Sequence, residues 1–380
     1  MNRLMVSIAT ALFITLLNLF SPFEQGAMAQ DVAGPAGADK VRIMVVSSYH
    51  REYLWSQNSN KGVVTALLEF NYLDEPSQGV TYTESDFVES SRAIVKKAWM
   101  DTKRKNSEQE MARALDRIVV EIDQFKPHLI LLGDDNAGNY FGNHYMDGEI
   151  PVVFWGLNGT PFKYGLLDSI ERPGHNITGV YQAGHHLRAI KYLQQLVPGI
   201  KRLAVLSDNS PSGRAHAKKV KSYGDEGLLP VELVEVVITN SFSEWKARVL
   251  ALQDQVDAFF MAPHHTLRDD LNQPVESLDA AAWYLRNIRL PEIGPAKFLV
   301  QEGMLCAIDD SAYLQGYEAT KMAHKILHEG ALPADMKPFS PSTGPFLVNR
   351  QRAETLGLLD RLESQMDIID EIIDMSKALE

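Results

Sequence analysis

The chain has 380 residues, 45% of them hydrophobic, and a formal net charge of −12 at pH 7. The apolar share is that of a globular protein, and the length exceeds what one compact domain usually holds, which suggests two. Acidity spread along the chain excludes a phosphate backbone as partner, because nucleic-acid binding demands clustered Lys and Arg. Cys306 is the only cysteine, which excludes an internal disulfide and a cysteine-type metal site; its apolar neighbours Met304, Leu305, Ala307 and Ile308 mark a buried, inert thiol.

The chain opens with Met1-Asn2-Arg3, an apolar run over 4–20, a break at Ser21-Pro22 and the small-residue site Ala27-Met28-Ala29. This is the layout of a secretory signal peptide, residues 1–29, cleaved after Ala29, which predicts release into the periplasm. An uncleaved anchor is the alternative, and the proline break and the A-x-A site argue for cleavage. No cysteine follows the apolar run, so no lipid anchor is expected.

Residues 41–47 (VRIMVVS) read as a buried parallel strand. Residues 56–70 place Val63, Val64, Leu67 and Leu68 at helical spacing, and 80–87 alternate like a strand. A long amphipathic helix is expected over 107–125, opened by the capping box Ser107/Glu110 and closed before Pro127. Strands follow at 128–132, 151–155 and 177–181, then a helix at 185–197. The cycle restarts with a strand at 202–206, a helix at 212–223, a strand at 231–238, a helix at 243–255 and a strand at 258–261. A helix at 276–289, a strand at 297–300 and a helix at 311–329 complete it, and an acidic tail at 358–380 reads as a helix with Leu362, Met366, Ile369, Ile372, Ile373 and Met375 on one stripe.

Two runs of strand–helix alternation predict an α/β protein of two Rossmann-like lobes, each a parallel sheet flanked by helices. Ligands of such sheets sit outside the carboxyl ends of the strands. The loops there carry Ser48, Tyr49, Asp135, Trp155, Asn158, Gln182, Asn209 and His264, a mixture of hydroxyl, amide, aromatic and carboxylate groups suited to holding a small polar or zwitterionic solute between aromatic walls. Catalytic and cofactor signatures are missing: no G-x-G-x-x-G follows the first strand, and there is no phosphate loop or G-x-S-x-G elbow. His264-His265 are adjacent, a spacing expected to send the rings apart, and His324/His328 share a helix face without an acidic third ligand, so no metal site, cofactor or catalytic residue is assigned. Asp134-Asp135 are expected to diverge as well, to cap a helix or meet a ligand amine.

The segment IPVVF (150–154) followed by GLLDSIERPGHNITGV (165–180) resembles the pattern PVVF, then G-L-x-x-S-L-x-R-P-G-x-N-x-T-G-V, of the ABC-transporter substrate-binding family best known for tryptophan and tyrosine uptake. Glu302-Gly303-Met304, residues 316–327 and 347–358 (LVNRQRAETLGL) extend the resemblance over nearly the whole mature chain. It implies the type I periplasmic binding protein fold, with lobe one at 41–180 plus 311–330, lobe two at 183–308 plus 331–357, and the tail at 358–380 beyond them. It also implies a hinge of several chain crossings between the lobes, a small-molecule ligand held without chemical change, and a membrane permease that reads the closed form. The tail departs from the family: its apolar stripe is expected to pack on its own lobe, leaving a monomer, and docking of a partner or of a second copy to form a dimer is the alternative. The sequence departs from the family pattern at Trp155-Gly156-Leu157-Asn158 and Tyr181-Gln182, so amino-acid specificity does not transfer with the resemblance. Ser48-Tyr49-His50 with Trp55-Ser56-Gln57 is similar to sensor-linked members of the superfamily, which, with the tail helix, makes a periplasmic sensor for a membrane kinase or cyclase the alternative.

Overall fold

The computed structural model describes residues 40–158 and 161–374; the expected signal peptide lies outside them. The first sheet is built from β1 (Val41–Ser47), β2 (Phe87–Glu89), β3 (Ala93–Trp99), β4 (Leu129–Gly133), β5 (Val152–Asn158) and β6 (Ile177–Gln182) in the order β2-β3-β1-β4-β5-β6, parallel except for β2. The second joins β7 (Arg202–Ser207), β8 (Glu232–Ile238), β9 (Ala258–Met261), β10 (Glu292–Gly294), β11 (Cys306–Ile308), β12 (Phe346–Asn349) and β13 (Glu371–Ile373) in the order β13-β12-β11-β10-β9-β7-β8. Only β11–β12 is antiparallel there. Central strands such as β4 (LILLG) and β9 (AFFM) are buried at every residue, as strands covered by helices on both faces must be.

Helices α1 (Leu54–Glu69), α2 (Pro76–Ser85), α3 (Glu108–Phe125), α4 (Asp134–Ala137) and α5 (Asn143–Tyr145) belong to the first sheet. Helix α3 starts at the expected capping box, with Glu110 N donating to Ser107 Oγ at 3.3 Å and Ser107 N donating to Glu110 Oε2 at 3.1 Å. The second sheet carries α6 (His186–Leu196), α7 (Pro211–Asp225), α8 (Phe242–Leu252), α9 (Ser277–Asn287) and α10 (Lys297–Gln301). Helix α11 (Ala312–Glu329) returns to the first lobe and packs on α1 so closely that a Cβ at Gly62 would lie 2.0 Å from Tyr313 O, and one at Gly316 2.2 Å from Ser59 O. Only glycine permits that backbone contact. The chain ends with α12 (Arg350–Thr355) and α13 (Leu359–Ser364) beside β12 and β13.

Four local expectations change. Residues 80–87 form the second half of α2 and its exit: Pro76 occupies the first turn, Gly79 and Tyr82 are the buried face at helical spacing, and Asp86 stops the helix in the left-handed region. The strand of this stretch is β3, which pairs with β1 over its full length. Residues 297–300 lie in α10, a run too short for its period to be read; Lys297 N at its start donates to Asp309 Oδ1 at 2.8 Å. The tail is not one helix. After α13 it turns, and β13 pairs in parallel with β12, while Leu362 and Ile369 enter the apolar core of the second lobe. An open sheet edge offers β13 a row of backbone partners that a solvated helix would lack, and the sensor alternative loses one of its two motives. Residues 331–339, expected with lobe two, lie along lobe one instead: Tyr181 N donates to Phe339 O at 3.0 Å and Thr178 Oγ1 to Met336 O at 2.5 Å.

The chain therefore passes between the lobes three times, after β6, after β11 and after Phe339. The crossings are tied to one another. Gly184 N donates to Asp310 Oδ2 at 2.9 Å, and Gly344 N to Asp309 O at 3.1 Å.

Candidate ligand-binding site

In each sheet the strand order reverses direction once about the first strand of its lobe: between β1 and β4 in one, between β7 and β9 in the other. Loop amides and side chains converge at such switch points because the connections on either side leave in opposite directions. Here the two switch points face each other. Tyr49 and Asp134–Asn136 come from the first, Asp208–Ser212 and His264–Thr266 from the second.

The lobes touch across this cleft. Lys103 Nζ lies 3.4 Å from Ser212 Oγ, and Tyr53 Oη 3.5 Å from His265 Nδ1. Arg268 donates to Arg104 O at 2.9 Å and to Asn106 Oδ1 at 3.0 Å. Tyr49, Tyr53 and Trp55 of lobe one are buried in the apolar cluster of lobe two, where Phe298 meets Tyr53 at 5.6 Å and Trp55 edge-on at 6.2 Å between ring centroids. The cleft is closed.

Two of the cavities between the lobes share Lys103 as a lining residue. One, of about 290 Å³, is walled by Tyr49, Thr102, Asp135 and Asn136 on one side and by Asn209, Ser212, Asn240 and Thr266 on the other. The second, of about 440 Å³, lies between Tyr53 and the His265, Ser277 and Glu302 surface. A larger hollow of about 660 Å³ is confined to lobe one, between α1 and α2.

Charge in the cleft is organised around Lys103, whose ammonium sits 4.6 Å from the centre of the Tyr49 ring and 5.3 Å from that of Tyr53. Burial pulls its pKa down, opposed by the fields of Asp208, Asp134, Asp135 and Glu302. Burial pushes Asp208 up, yet Lys103 and a shell of donors win and hold its carboxyl below the usual range. Ser210 N and Oγ reach Asp208 Oδ1 at 3.0 and 2.5 Å, while His265 N and Thr266 N reach Oδ2 at 2.8 and 3.0 Å. Asp134 goes the other way: burial raises it well above the carboxylate range despite the 2.7 Å bond from Trp55 Nε1. Burial raises Glu302 as well, so donors hold the Asp208 carboxyl down while burial pushes Asp134 and Glu302 toward neutrality.

The sequence candidates divide. Tyr49, Asp135 and Asn209 line the 290 Å³ cavity. Asp135 Oδ1 accepts from Lys163 Nζ at 2.7 Å and Tyr164 Oη at 2.9 Å, and Oδ2 accepts from Asn158 Nδ2 at 2.8 Å. Asn158 and Gln182 line a separate hollow of about 460 Å³ beside the first crossing, with His186 and His216. Ser48 has its hydroxyl committed to the frame: Oγ donates to Gly133 O at 2.7 Å and accepts Ala137 N at 2.8 Å. Trp155 belongs to the core of lobe one, packed over Gly133, because its side chain takes the face of β5 that meets α1 and α11. His264 is fully buried under Trp245, behind His265.

His264 and His265 do not diverge. Their rings stack with centroids 4.6 Å apart, and both face Glu302: His265 Nε2 at 2.7 Å from Oε1, His264 Nε2 at 3.6 Å from Oε2. The clamp of Asp208 on the amides of His265 and Thr266 folds the loop so that consecutive rings share a side. Asp134 and Asp135 diverge as expected, one to Trp55 and one to Asn158 and Lys163. Asp208, His265 and Glu302 stood in strand-end loops that sequence reasoning marked for ligand contact without choosing them, whereas Lys103 was missed, because nothing in the basic run 103–105 singles it out.

Two α/β lobes with facing switch points define the type I periplasmic binding protein fold. Three comparisons bear on this. A family model described as ABC transporter substrate binding protein matches residues 64–363. A tyrosine-binding protein of Clostridioides difficile (strain R20291) is 23% identical over 224 residues, 58% of this chain and 60% of that protein, so the match spans well under two thirds of the relative. Among solved structures, an ABC domain in complex with L-Trp from Streptococcus pneumonia superposes with a TM-score of 0.66 at 18% identity, covering 88% of this chain and all of that one. A ligand-free, open substrate-binding protein with adhesive properties from Clostridium difficile gives 0.58 at 18% identity, covering 83% and 95%. The chain belongs to the ABC transporter substrate-binding family.

Proposed function

We infer that this protein captures a small zwitterionic or polar solute, of amino-acid size, in the interlobe cleft outside the cytoplasmic membrane and presents its closed form to an ABC permease. One observation carries the reading: a cavity of about 290 Å³ whose walls come from the switch points of both sheets, so a solute inside contacts both lobes at once. Contacts available only in the closed form bias the hinge toward closure, and that differential affinity is what a permease can read. Asp135 offers a carboxylate to an amine, Lys103 a cation to a carboxylate, and Tyr49 a ring face. The tyrosine- and tryptophan-binding relatives make aromatic amino acids the first solutes to try, and the signal-peptide pattern of residues 1–29 supports a periplasmic location.

A thermal-shift screen of amino acids, nucleosides, sugars and small organic acids, followed by calorimetry, tests this. A solute at one hundred times its dissociation constant adds about 2.7 kcal/mol to stability. If no compound raises the melting temperature, or if a hit is consumed instead of bound one to one, the receptor reading fails.

A further inference from the structure

Among the described residues, His264, His265 and Glu302 form the one cluster of His, Cys or acidic side chains whose donor atoms all lie within 4.8 Å of one another. All three are buried, and they come from two separate segments, the loop after β9 and the end of α10. Two features argue against a purely structural role. Neither ring nitrogen of His264 nor Glu302 Oε2 makes a hydrogen bond of good geometry; Ser277 stands beside them, its backbone facing the His264 ring and its side chain facing Glu302. The second carboxylate oxygen and the His264 ring are aimed at each other at 3.6 Å, too far for a hydrogen bond. A core histidine kept for packing is ordinarily hydrogen-bonded.

We propose that His264, His265 and Glu302 bind a divalent transition metal of the zinc class, with the fourth position turned toward the cavity between Tyr53 and Ser277. Donors of a tetrahedral zinc at bond lengths of about 2.0–2.1 Å stand about 3.4 Å apart. The His264–Glu302 separation of 3.6 Å already fits, and the 2.7 Å contact from His265 Nε2 to Oε1 needs to open by less than an ångström. Two imidazoles and one carboxylate suit zinc and its neighbours and not calcium or magnesium, which take all-oxygen shells. Binding through Nε2 would require the His265 ring proton on Nδ1, so the long bond that Nδ1 now accepts from His264 N at 3.3 Å would be exchanged for one donated to Tyr53 Oη at 3.5 Å, the outer partner a metal-bound histidine ordinarily has. His265 and Glu302 line the 440 Å³ cavity, which supplies the access path and room for a water or a solute oxygen on the metal. The site is independent of which solute the neighbouring cavity takes.

The test uses the untagged mature chain, stripped with chelator and titrated with Zn²⁺ alone by calorimetry, with no solute present. One equivalent is expected to bind, weakened at least a hundredfold in His264→Gln and in Glu302→Gln, while a surface control, His328→Gln, leaves it unchanged. Co²⁺ in place of zinc is expected to give the intense visible bands of a four-coordinate N/O site, a readout that needs no variant. Titration of a folded wild-type chain without a stoichiometric site, retention of full affinity in both variants, or a six-coordinate Co²⁺ spectrum overturns the proposal. A chain that takes zinc but no solute would refute the receptor reading and leave this one standing.

Discussion

Lys103 of lobe one and Ser212 of lobe two meet across the cleft with 3.4 Å between Nζ and Oγ. The ammonium is buried on the faces of two tyrosines and opposite the ionised Asp208, so a single cation serves as counter-charge for both lobes. Substituting Lys103→Met is expected to weaken any solute found in the melting screen by about 10–100-fold, roughly 1.4–2.7 kcal/mol. Calorimetry on the variant checks it; an affinity within twofold of wild type would remove Lys103 from the binding machinery.

Tyr49 lines the 290 Å³ cavity between the lobes, whereas Trp155 lies in the core of lobe one. Tyr49→Ala is expected to reduce solute affinity at least tenfold. Trp155→Phe, which trims a side chain packed over Gly133 in the lobe-one core, is expected to lower stability by about 1–3 kcal/mol and leave affinity within twofold. Urea melts and calorimetry on the two variants should give opposite patterns.

Gly316 holds α11 against α1 backbone to backbone. Gly316→Ala places a methyl 2.2 Å from Ser59 O, a contact that only movement of a helix can relieve. A loss of about 3 kcal/mol or more is expected, read as a lower urea midpoint. An unchanged midpoint would mean that the helices sit further apart than described.

The tied crossings carry a pH dependence. Burial pushes Asp309 up to about 6 and Asp310 up to about 7. A carboxyl whose folded pKa lies above its unfolded value favours the fold most when protonated. Its contribution is fully present below about pH 4 and is lost as pH rises through 6 to 7, on the order of 3–4 kcal/mol for each group. Stability should therefore fall between about pH 4 and 7 more steeply in wild type than in Asp310→Asn. Parallel urea midpoints for the two across that range would contradict the assignment.

Arg352 and Glu292 make a buried ion pair, Nε to Oε1 at 2.8 Å and a second nitrogen to Oε2 at 3.1 Å, while Leu305 N also donates to Oε1. The arginine of the LVNRQRAETLGL segment thereby pins α12 to β10. Arg352→Met alone is expected to cost about 3–5 kcal/mol by leaving a buried carboxylate uncompensated, and the double variant with Glu292→Leu less than the single. A denaturant double-mutant cycle without coupling would refute this.

What the sequence determined by itself was the alternation: β-branched runs followed by amphipathic helices specify parallel sheets, and two such runs specify two lobes, because burial on both faces leaves few other ways to cover those strands. The capping box of α3 and the switch-point loops bearing Tyr49, Asp135 and Asn209 were legible for the same local reason, that caps, breakers and strand ends are written in adjacent residues. Tertiary structure alone decided the rest. Val80 to Ser85 alternated like a strand but closed a helix, and the tail became an edge strand, because partners distant in the chain supplied the backbone bonds. It also decided that Lys103 faces Asp208 and that two consecutive histidines turn to one glutamate: charge pairing and ring orientation depend on which surfaces meet across the cleft, and no spacing within one segment encodes a meeting between two lobes.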